Sequence, residues 1–297
     1  MPRKITLNIG RGGSTGGGSN APTMLLGAAI ASTSDSAWTT REAQVGPLRV
    51  RRSYDPGFNT NFMSGVAAID VGKRASWLSV KPGIAATANG SMDSAITTFA
   101  NSIPTNHPLM LTWQHEPEND GVAATTWVTG FRRFYSIVKN IRPNVLIGPV
   151  LMAWTFNPGS GRNPQDWNVG GANCDFYGVD EYNDYHFPAA GNGNKWVTQP
   201  SSTVTAFQSY IDAIGVPGAF GEIASAEDQT GIGPQRKIDW TNTSINWGHT
   251  HGWLAYCWFD IFKSGDTAVD MMLDSSPEFL AYWKAQADIH TATTFTP

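Results

Sequence analysis

Two glutamates in this sequence lie at the ends of short apolar runs, where buried strands would reach the protein surface. Glu116 comes directly after the run 108–115, and Glu222 lies near the end of the run 218–224. Two carboxyl groups that face each other across a cleft can divide acid–base work between them. One donates a proton to a leaving oxygen while the other attacks an electrophilic carbon or activates water, which is the chemistry that cleaves a glycosidic bond.

Further polar and aromatic residues stand at the ends of the other apolar runs. A charged residue placed after a buried run costs free energy unless it is paired or solvated, so their clustering indicates a functional site. Alternation of side chains along a strand allows only one of Arg51 and Arg52 to face that site. We choose Arg51, although alternation alone does not decide between them. The candidate ligand-binding residues are Arg51, Lys81, His115, Trp154, Asp180, Tyr182 and Trp258.

Eight apolar runs can form the strands that bring these residues together. They have the length of buried parallel strands, and the stretches between several of them carry apolar residues at helical spacing. One such stretch places Trp127, Phe131, Phe134 and Val138 on a single helical face. The runs are 24–30, 47–52, 75–81, 108–115, 145–153, 175–182, 218–224 and 253–259.

This alternation predicts an α/β fold of one domain, a (β/α)8 or TIM barrel. An open doubly wound sheet is disfavoured because no Gly-rich phosphate turn follows the first run. In a barrel the active site lies at the carboxyl ends of the strands. The fourth and seventh strands face each other there, so we expect Glu116 and Glu222 to converge. The acid would need a raised pKa, and the other carboxylate would stay ionised with the help of an arginine.

The first residues differ in composition from the rest of the chain. Residues 1–10 have the pattern of a short polar strand, and residues 10–20 are rich in glycine and serine, which is typical of a flexible linker. We expect an N-terminal segment over residues 1–22 and the barrel over residues 23–297. The linker is either a disordered tail or a tether to a larger assembly. No secretory signal is visible, and we favour an extracellular or particle-associated location over a cytoplasmic one.

The overall composition excludes several other classes of protein. Hydrophobic residues make up 41% and charged residues 15%, which indicates a folded chain rather than a disordered one. A net charge of -4 without a basic stripe argues against a nucleic-acid partner. No run approaches the ~18 apolar residues of a membrane span, and two cysteines are too few for a disulfide framework. Twelve tryptophans favour a carbohydrate ligand, because sugar rings stack on indole.

Several of these segments also resemble a known enzyme family. The segment Trp113-Gln114-His115-Glu116-Pro117-Glu118-Asn119 resembles the fourth-strand motif of clan A glycoside hydrolases, above all family 26, the β-mannanases and their relatives. Gly221-Glu222-Ile223-Ala224 is similar to the seventh-strand segment that carries the nucleophile there. The resemblance implies a TIM barrel in which Glu116 is the acid/base and Glu222 the nucleophile. It also implies that Tyr182 hydrogen-bonds the nucleophile and that Trp258 forms the floor of the sugar site.

The first functional hypothesis is therefore a retaining glycoside hydrolase that acts on a polysaccharide or oligosaccharide. It needs no cofactor, and no residue pattern predicts a metal site. The alternative is a non-catalytic carbohydrate-binding barrel of a surface or viral assembly. A third hypothesis is a lyase or aldolase in which Lys81 forms a Schiff base with the substrate, and this would require a desolvated lysine.

Overall fold

The structure, a computed structural model, describes residues 9–10, 24–32, 34–59, 61–183, 196–227, 233–263, 269–290 and 294–295. Eight strands form the main sheet, and the fifth consists of two short segments. They are β1 (Leu25–Ile30), β2 (Val50–Asp55), β3 (Ala75–Val80), β4 (Leu109–Trp113), β5 (Leu146–Ile147 and Val150–Met152), β6 (Tyr177–Asn183), β7 (Gly218–Ser225) and β8 (Ala255–Asp260).

The sheet is parallel throughout and returns to its starting strand. Its order is β5-β4-β3-β2-β1-β8-β7-β6-β5. The two ends are consecutive parts of β5, because Leu146–Ile147 pairs with β4 and Val150–Met152 pairs with β6. Each of the eight apolar runs overlaps one strand, and the predicted α/β barrel is confirmed.

Helices cover the outside of this barrel. They are α1 (Asp35–Val45), α2 (Phe62–Gly65), α3 (Ile84–Ala88), α4 (Asp93–Ser102), α5 (Ala124–Ile141), α6 (Ser202–Ile214), α7 (Pro234–Thr250) and α8 (Pro277–His290). The predicted face of α5 is buried as expected, with Trp127, Phe131, Phe134 and Val138 in the core. The crossover from β5 to β6 contains four short 3-10 turns in place of an α-helix, and the first of them is Ala153–Phe156.

Apolar side chains form two layers of core. The larger layer lies between the strands and the helices and holds bulky residues such as Trp113 and Trp258. The smaller layer fills the barrel interior with residues such as Val50, Met110 and Val150. Because these interior residues precede the polar residues on their strands, the barrel is packed below the carboxyl ends and a ligand would enter from those ends.

Two short pieces lie at the ends of the chain. Ile9–Gly10 pairs antiparallel with Thr294–Phe295. The Gly-rich stretch falls outside the described residues beyond Gly10, so the linker and the boundary at residue 22 stay predictions. Within the described part of the chain, no helix combines the length and apolar character needed to cross a membrane.

Candidate active site

A β-bulge in β7 sets the position of Glu222. Val179 and Asp180 are neighbours on β6, but they pair with Phe220 and Glu222, so Gly221 is an extra residue in β7. The pairing of β7 with β8 shifts over the same stretch. A bulge redirects the side chains that follow it. Glycine fits here because a Cβ at residue 221 would lie 2.5 Å from Asp180 Oδ1.

The Glu222 carboxylate is buried and receives hydrogen bonds from two tyrosines. Tyr54 donates its hydroxyl to Oε1 at 2.5 Å, and Tyr182 donates to Oε2. Arg52 Nη2 lies 4.0 Å from Oε1. Burial, and next the negative charge of Glu222, raise the pKa of both tyrosines, so both hydroxyls keep their protons as donors. Hydroxyl donors and a guanidinium are the surroundings that stabilise a carboxylate anion.

Glu116 is held at the opposite side of the barrel mouth by an unusual backbone. After β4 ends, Gln114 and Glu116 adopt left-handed conformations, with φ of 55° and 51°. Residues other than glycine rarely do so, and such strain persists where the surrounding structure enforces it, often at functional sites. The Glu116 amide donates to the Val150 carbonyl at 2.9 Å, which fixes the segment to β5.

The environment of Glu116 favours its protonated form. Burial raises the pKa of this carboxyl to about 7, and the negative charges of Glu222 and Glu118 add to the effect. The side-chain amide of Asn119, 3.4 Å from Oε2, and the charge of Lys81 oppose it. A carboxyl group that still holds its proton near neutral pH can act as a general acid.

Asp180 is a third carboxyl group in the same place. Its side chain is fully buried, and neither oxygen has a hydrogen-bond partner among the described residues. Burial raises its pKa well above the usual range, and the charges of Glu222 and Glu116 raise it further, while Arg52 lowers it. These surroundings favour the protonated form of Asp180.

The three carboxyl groups of Glu116, Asp180 and Glu222 offer oxygens that lie within 4.8 Å of one another. These are the atoms that a metal ion would use. However, both oxygens of Glu222 already accept hydroxyl hydrogen bonds, and the buried guanidinium of Arg52 brings a positive charge to the same carboxylate. The arrangement suits a proton donor beside an anion better than it suits a cation.

The structure reverses the choice between the two arginines of β2. Arg51 faces the helices, with Nη1 3.3 Å from Asp35 Oδ1 and its guanidinium 5.2 Å from the Trp38 ring centroid. Arg52 faces the barrel, where its guanidinium lies 4.7 Å from the Tyr54 ring centroid. The expectation that Arg51 lines the site is wrong because alternation along β2 directs it away from the barrel interior.

His115 and Lys81 both lie at the mouth. The His115 ring centroid is 5.2 Å from that of Tyr54, and Nδ1 has no hydrogen-bond partner among the described residues. Burial, then the charges of Arg52 and Lys81, lower the pKa of His115 to about 2, so this imidazole is neutral. Lys81 is partly exposed, with Nζ 3.3 Å from Asp120 Oδ2, and is not the desolvated lysine that a Schiff base would require.

Trp258 does not line the mouth. Its ring is fully buried, packs against Phe279 at 5.2 Å between centroids, and donates Nε1–H to the Met271 carbonyl at 2.5 Å. The expectation that it forms the floor of the site is wrong, because Trp258 faces α8. The next residue, Phe259, faces inward and packs edge-on against Tyr182 at 5.4 Å between centroids.

Trp154 is exposed at the carboxyl end of β5, and its role as a ligand-binding residue stays a prediction. It belongs to the 3-10 turn after β5, and 46% of its surface is exposed. Its neighbours Ala153 and Thr155 are buried. Trp154 is the tryptophan that the described part of the chain leaves exposed, while most of the others are in the core.

Tyr54 and Phe259 are the site residues that the sequence patterns missed. Tyr54 lies two positions after Arg52 and therefore shares its face of β2. If Arg52 had been chosen as the arginine that faces the barrel, the same alternation would have placed Tyr54 in the site. Phe259 follows Trp258 directly, and no sequence signal says which of the two faces inward.

Comparisons with known proteins find similarity in structure but not in sequence. No protein-family model matches the chain, and no curated protein matches it. An endo-β-1,4-glucanase from Xanthomonas axonopodis pv. citri aligns with a TM-score of 0.61 at 12% identity, over 88% of this chain and 99% of that one.

Two further solved structures are similar. An endo-β-1,3-glucanase of glycoside hydrolase family 128 from Sorangium cellulosum aligns with a TM-score of 0.57 at 13% identity, over 88% of this chain and 98% of that one. A family 26 endo-β-1,4-mannanase from Cellulomonas fimi aligns with a TM-score of 0.57 at 13% identity, over 93% and 75%. The chain therefore has the barrel fold of these glycoside hydrolases, as its resemblance to family 26 implied.

Proposed function

We propose that this protein is a retaining glycoside hydrolase, with Glu116 as the general acid/base and Glu222 as the nucleophile. One observation carries the proposal: two glutamates meet at the barrel mouth in opposite environments. The pKa of Glu116 is raised to about 7, whereas Glu222 accepts two tyrosine hydrogen bonds beside Arg52. Carboxyl groups in such contrasting surroundings divide into a proton donor and an anion.

The reaction would proceed in two displacements. In the first, a Glu222 oxygen attacks the anomeric carbon, the bond from that carbon to the leaving oxygen breaks, and the proton of Glu116 moves to that oxygen. In the second, the Glu116 carboxylate takes a proton from water. The resulting hydroxyl attacks the same carbon, which releases Glu222 and restores the proton of Glu116.

The spacing of the two glutamates supports retention of configuration. One carboxyl oxygen of each lies within 4.8 Å of an oxygen of the other. Retaining enzymes place the two carboxyl groups about 5–5.5 Å apart, whereas inverting enzymes need about 6.5–9.5 Å to admit a water molecule. This close approach favours the retaining arrangement over the inverting one.

The structural neighbours define the substrates to try first. They are described as acting on β-1,3-glucan, β-1,4-glucan and β-1,4-mannan. We therefore propose a β-linked polysaccharide of this kind as the substrate. Laminarin, carboxymethylcellulose and soluble β-mannan represent these three polysaccharides.

The decisive experiment measures reducing ends released from these three polysaccharides by the wild type, Glu222→Ala and Glu278→Gln. Glu278 is an exposed residue of α8 and serves as the matched control. We expect release by the wild type and by the control, and none by Glu222→Ala. Azide should then restore cleavage of an aryl glycoside by Glu222→Ala, because a small anion can replace the missing nucleophile. Equal release by all three proteins would refute Glu222 as the nucleophile, and binding without release would favour a carbohydrate-binding barrel.

A further inference from the structure

Trp154 lies on the same side of the mouth as the proposed acid/base. The turn that carries it follows β5 directly, and the carbonyl of Val150 on β5 accepts the amide hydrogen of Glu116. The residues on either side of Trp154 also contact the Glu116 segment. Met152 N and Thr155 Oγ1 donate to Glu118 Oε1, at 2.6 Å and 2.7 Å.

A second set of hydrogen bonds joins the two segments. Arg162 donates through Nη1 to Thr155 Oγ1 at 3.2 Å and through Nη2 to Asn119 Oδ1 at 2.8 Å. Asn119 in turn places its side-chain amide 3.4 Å from Glu116 Oε2. The position of Trp154 is therefore fixed relative to the carboxyl group that would donate the proton.

The turn Ala153–Phe156 is anchored to the core, while the indole ring of Trp154 remains exposed to solvent. Phe156, two residues later, is buried and packs edge-on against Phe207 and Tyr210 at 5.3 Å and 5.4 Å between centroids. The amide of Asn157 donates to the Trp154 carbonyl at 3.0 Å. A rigid backbone with a large exposed ring is the arrangement of a preformed binding surface, since little conformational freedom remains to be lost on binding.

We propose that Trp154 is the stacking platform for the sugar unit on the leaving-group side of the scissile bond, an inference that rests on the proposed function. The general acid protonates the leaving oxygen, so the sugar attached to that oxygen lies on the side of Glu116. A pyranose ring presents flat C–H faces that can pack on the exposed indole. The substrate is then a chain with a sugar on both sides of the cleaved bond, and a small leaving group would not use this surface.

The test compares two substrates that differ in their leaving group. One is whichever of laminarin, carboxymethylcellulose and β-mannan the wild type cleaves fastest. The β-glycosyl fluoride of the corresponding disaccharide is the other, because its leaving group carries neither a sugar nor an aromatic ring that could stack on the indole. We expect Trp154→Ala to lower kcat/KM on the polysaccharide by roughly tenfold, in keeping with the loss of one stacked aromatic contact. The rate on the glycosyl fluoride should be unchanged, and Trp154→Phe should lie between Trp154→Ala and the wild type on the polysaccharide.

A second readout uses the transfer reaction of a retaining enzyme. With the glycosyl fluoride as donor and an added oligosaccharide as acceptor, the sugar acceptor must occupy the leaving-group side. Trp154→Ala should therefore lose transfer product while it keeps hydrolysis. Ile289→Ala, which changes the other large exposed apolar side chain of the described residues, should alter neither.

The possible results separate the two proposals. Wild-type cleavage with equal loss on both substrates, or no loss on either, would overturn the role of Trp154 while leaving the glycosidase intact. Wild-type protein that cleaves none of the polysaccharides and none of the glycosyl fluorides of the corresponding disaccharides would overturn the proposed function, and the role of Trp154 with it. A selective loss on the polysaccharide, together with lost transfer, would support both.

Discussion

The strongest electrostatic prediction concerns the coupling between the two glutamates. Replacing Glu222 with glutamine removes one negative charge from the mouth while preserving the shape of the side chain. Burial is the largest cause of the raised pKa of Glu116, and the charge of Glu222 is the next. Glu222→Gln should therefore lower the pKa of Glu116 from about 7 without restoring the value of a solvated glutamate.

The size of the change follows from the separation of the two groups. At the 4.8 Å limit between their oxygens, two unit charges repel by ~0.9 kcal/mol in water and by ~3.5 kcal/mol at an effective dielectric constant of 20. These energies correspond to roughly 0.6 and 2.5 pH units in the pKa. Because Glu116 lies at the open mouth, where water reduces the repulsion, we expect a decrease of about one pH unit.

The assay is a carbon-13 NMR titration of protein labelled at the glutamate carboxyl carbons. Wild type, Glu222→Gln and Glu278→Gln are compared, and Glu116→Gln identifies the signal of Glu116 by its disappearance. The titration midpoint of Glu116 should move down in Glu222→Gln and stay in place in Glu278→Gln. An unchanged midpoint in Glu222→Gln would refute the coupling and, with it, the electrostatic basis for separate acid and nucleophile roles.

Two further predictions concern the stability of the barrel. Gly221→Ala should lower the free energy of unfolding by about 1–3 kcal/mol and abolish activity, because the added Cβ would lie 2.5 Å from Asp180 Oδ1. Urea unfolding measures the loss of stability, and the reducing-end assay measures the loss of activity. The pair His249 and His290, with Nε2 atoms 3.2 Å apart, should make the fold sensitive to acid. Burial lowers the pKa of His290 to about 4 and also lowers that of His249, so the unfolded chain takes up protons first and stability should fall as the pH drops from about 6.5 to about 4.

Each of these predictions has a control within the chain. Gly57→Ala should be tolerated, because nothing lies within 4 Å of a Cβ at that position. His290→Gln should reduce the dependence of the unfolding free energy on pH between 6.5 and 4, measured by urea unfolding across that interval. A Gly221→Ala protein as stable as Gly57→Ala would contradict the role given to the bulge, and an unchanged pH dependence in His290→Gln would contradict the role of the histidine pair.

The sequence was informative about the order and position of the strands. Buried parallel strands produce continuous apolar runs, and each of the eight runs overlaps a strand. Polar residues at the ends of such runs must lie at one edge of the barrel. For that reason Glu116, Asp180, Tyr182 and Glu222 could be placed near one another before the structure was known.

The sequence was less informative about the direction in which a side chain points. Strands buried on both faces lack the alternation of polar and apolar residues that would mark the inner face, so Arg51 and Arg52, or Trp258 and Phe259, could not be distinguished. The bulge adds a further difficulty. Strict alternation from Ala219, which is in the interior layer, would turn Glu222 outward, and the extra residue in β7 reverses this.

The proposed chemistry depends finally on how few charges the mouth can hold. Glu116, Asp180 and Glu222 lie within 4.8 Å of one another, and one buried guanidinium, that of Arg52, accompanies them. Three carboxylates so close together would repel strongly, and the raised pKa values of Asp180 and Glu116 favour protons on these two groups. Glu222 is surrounded by two hydroxyl donors and Arg52, which are the surroundings that stabilise a carboxylate anion. Burial and repulsion thus favour a proton donor at Glu116 beside an anion at Glu222, and these are the two groups that the proposed first displacement uses.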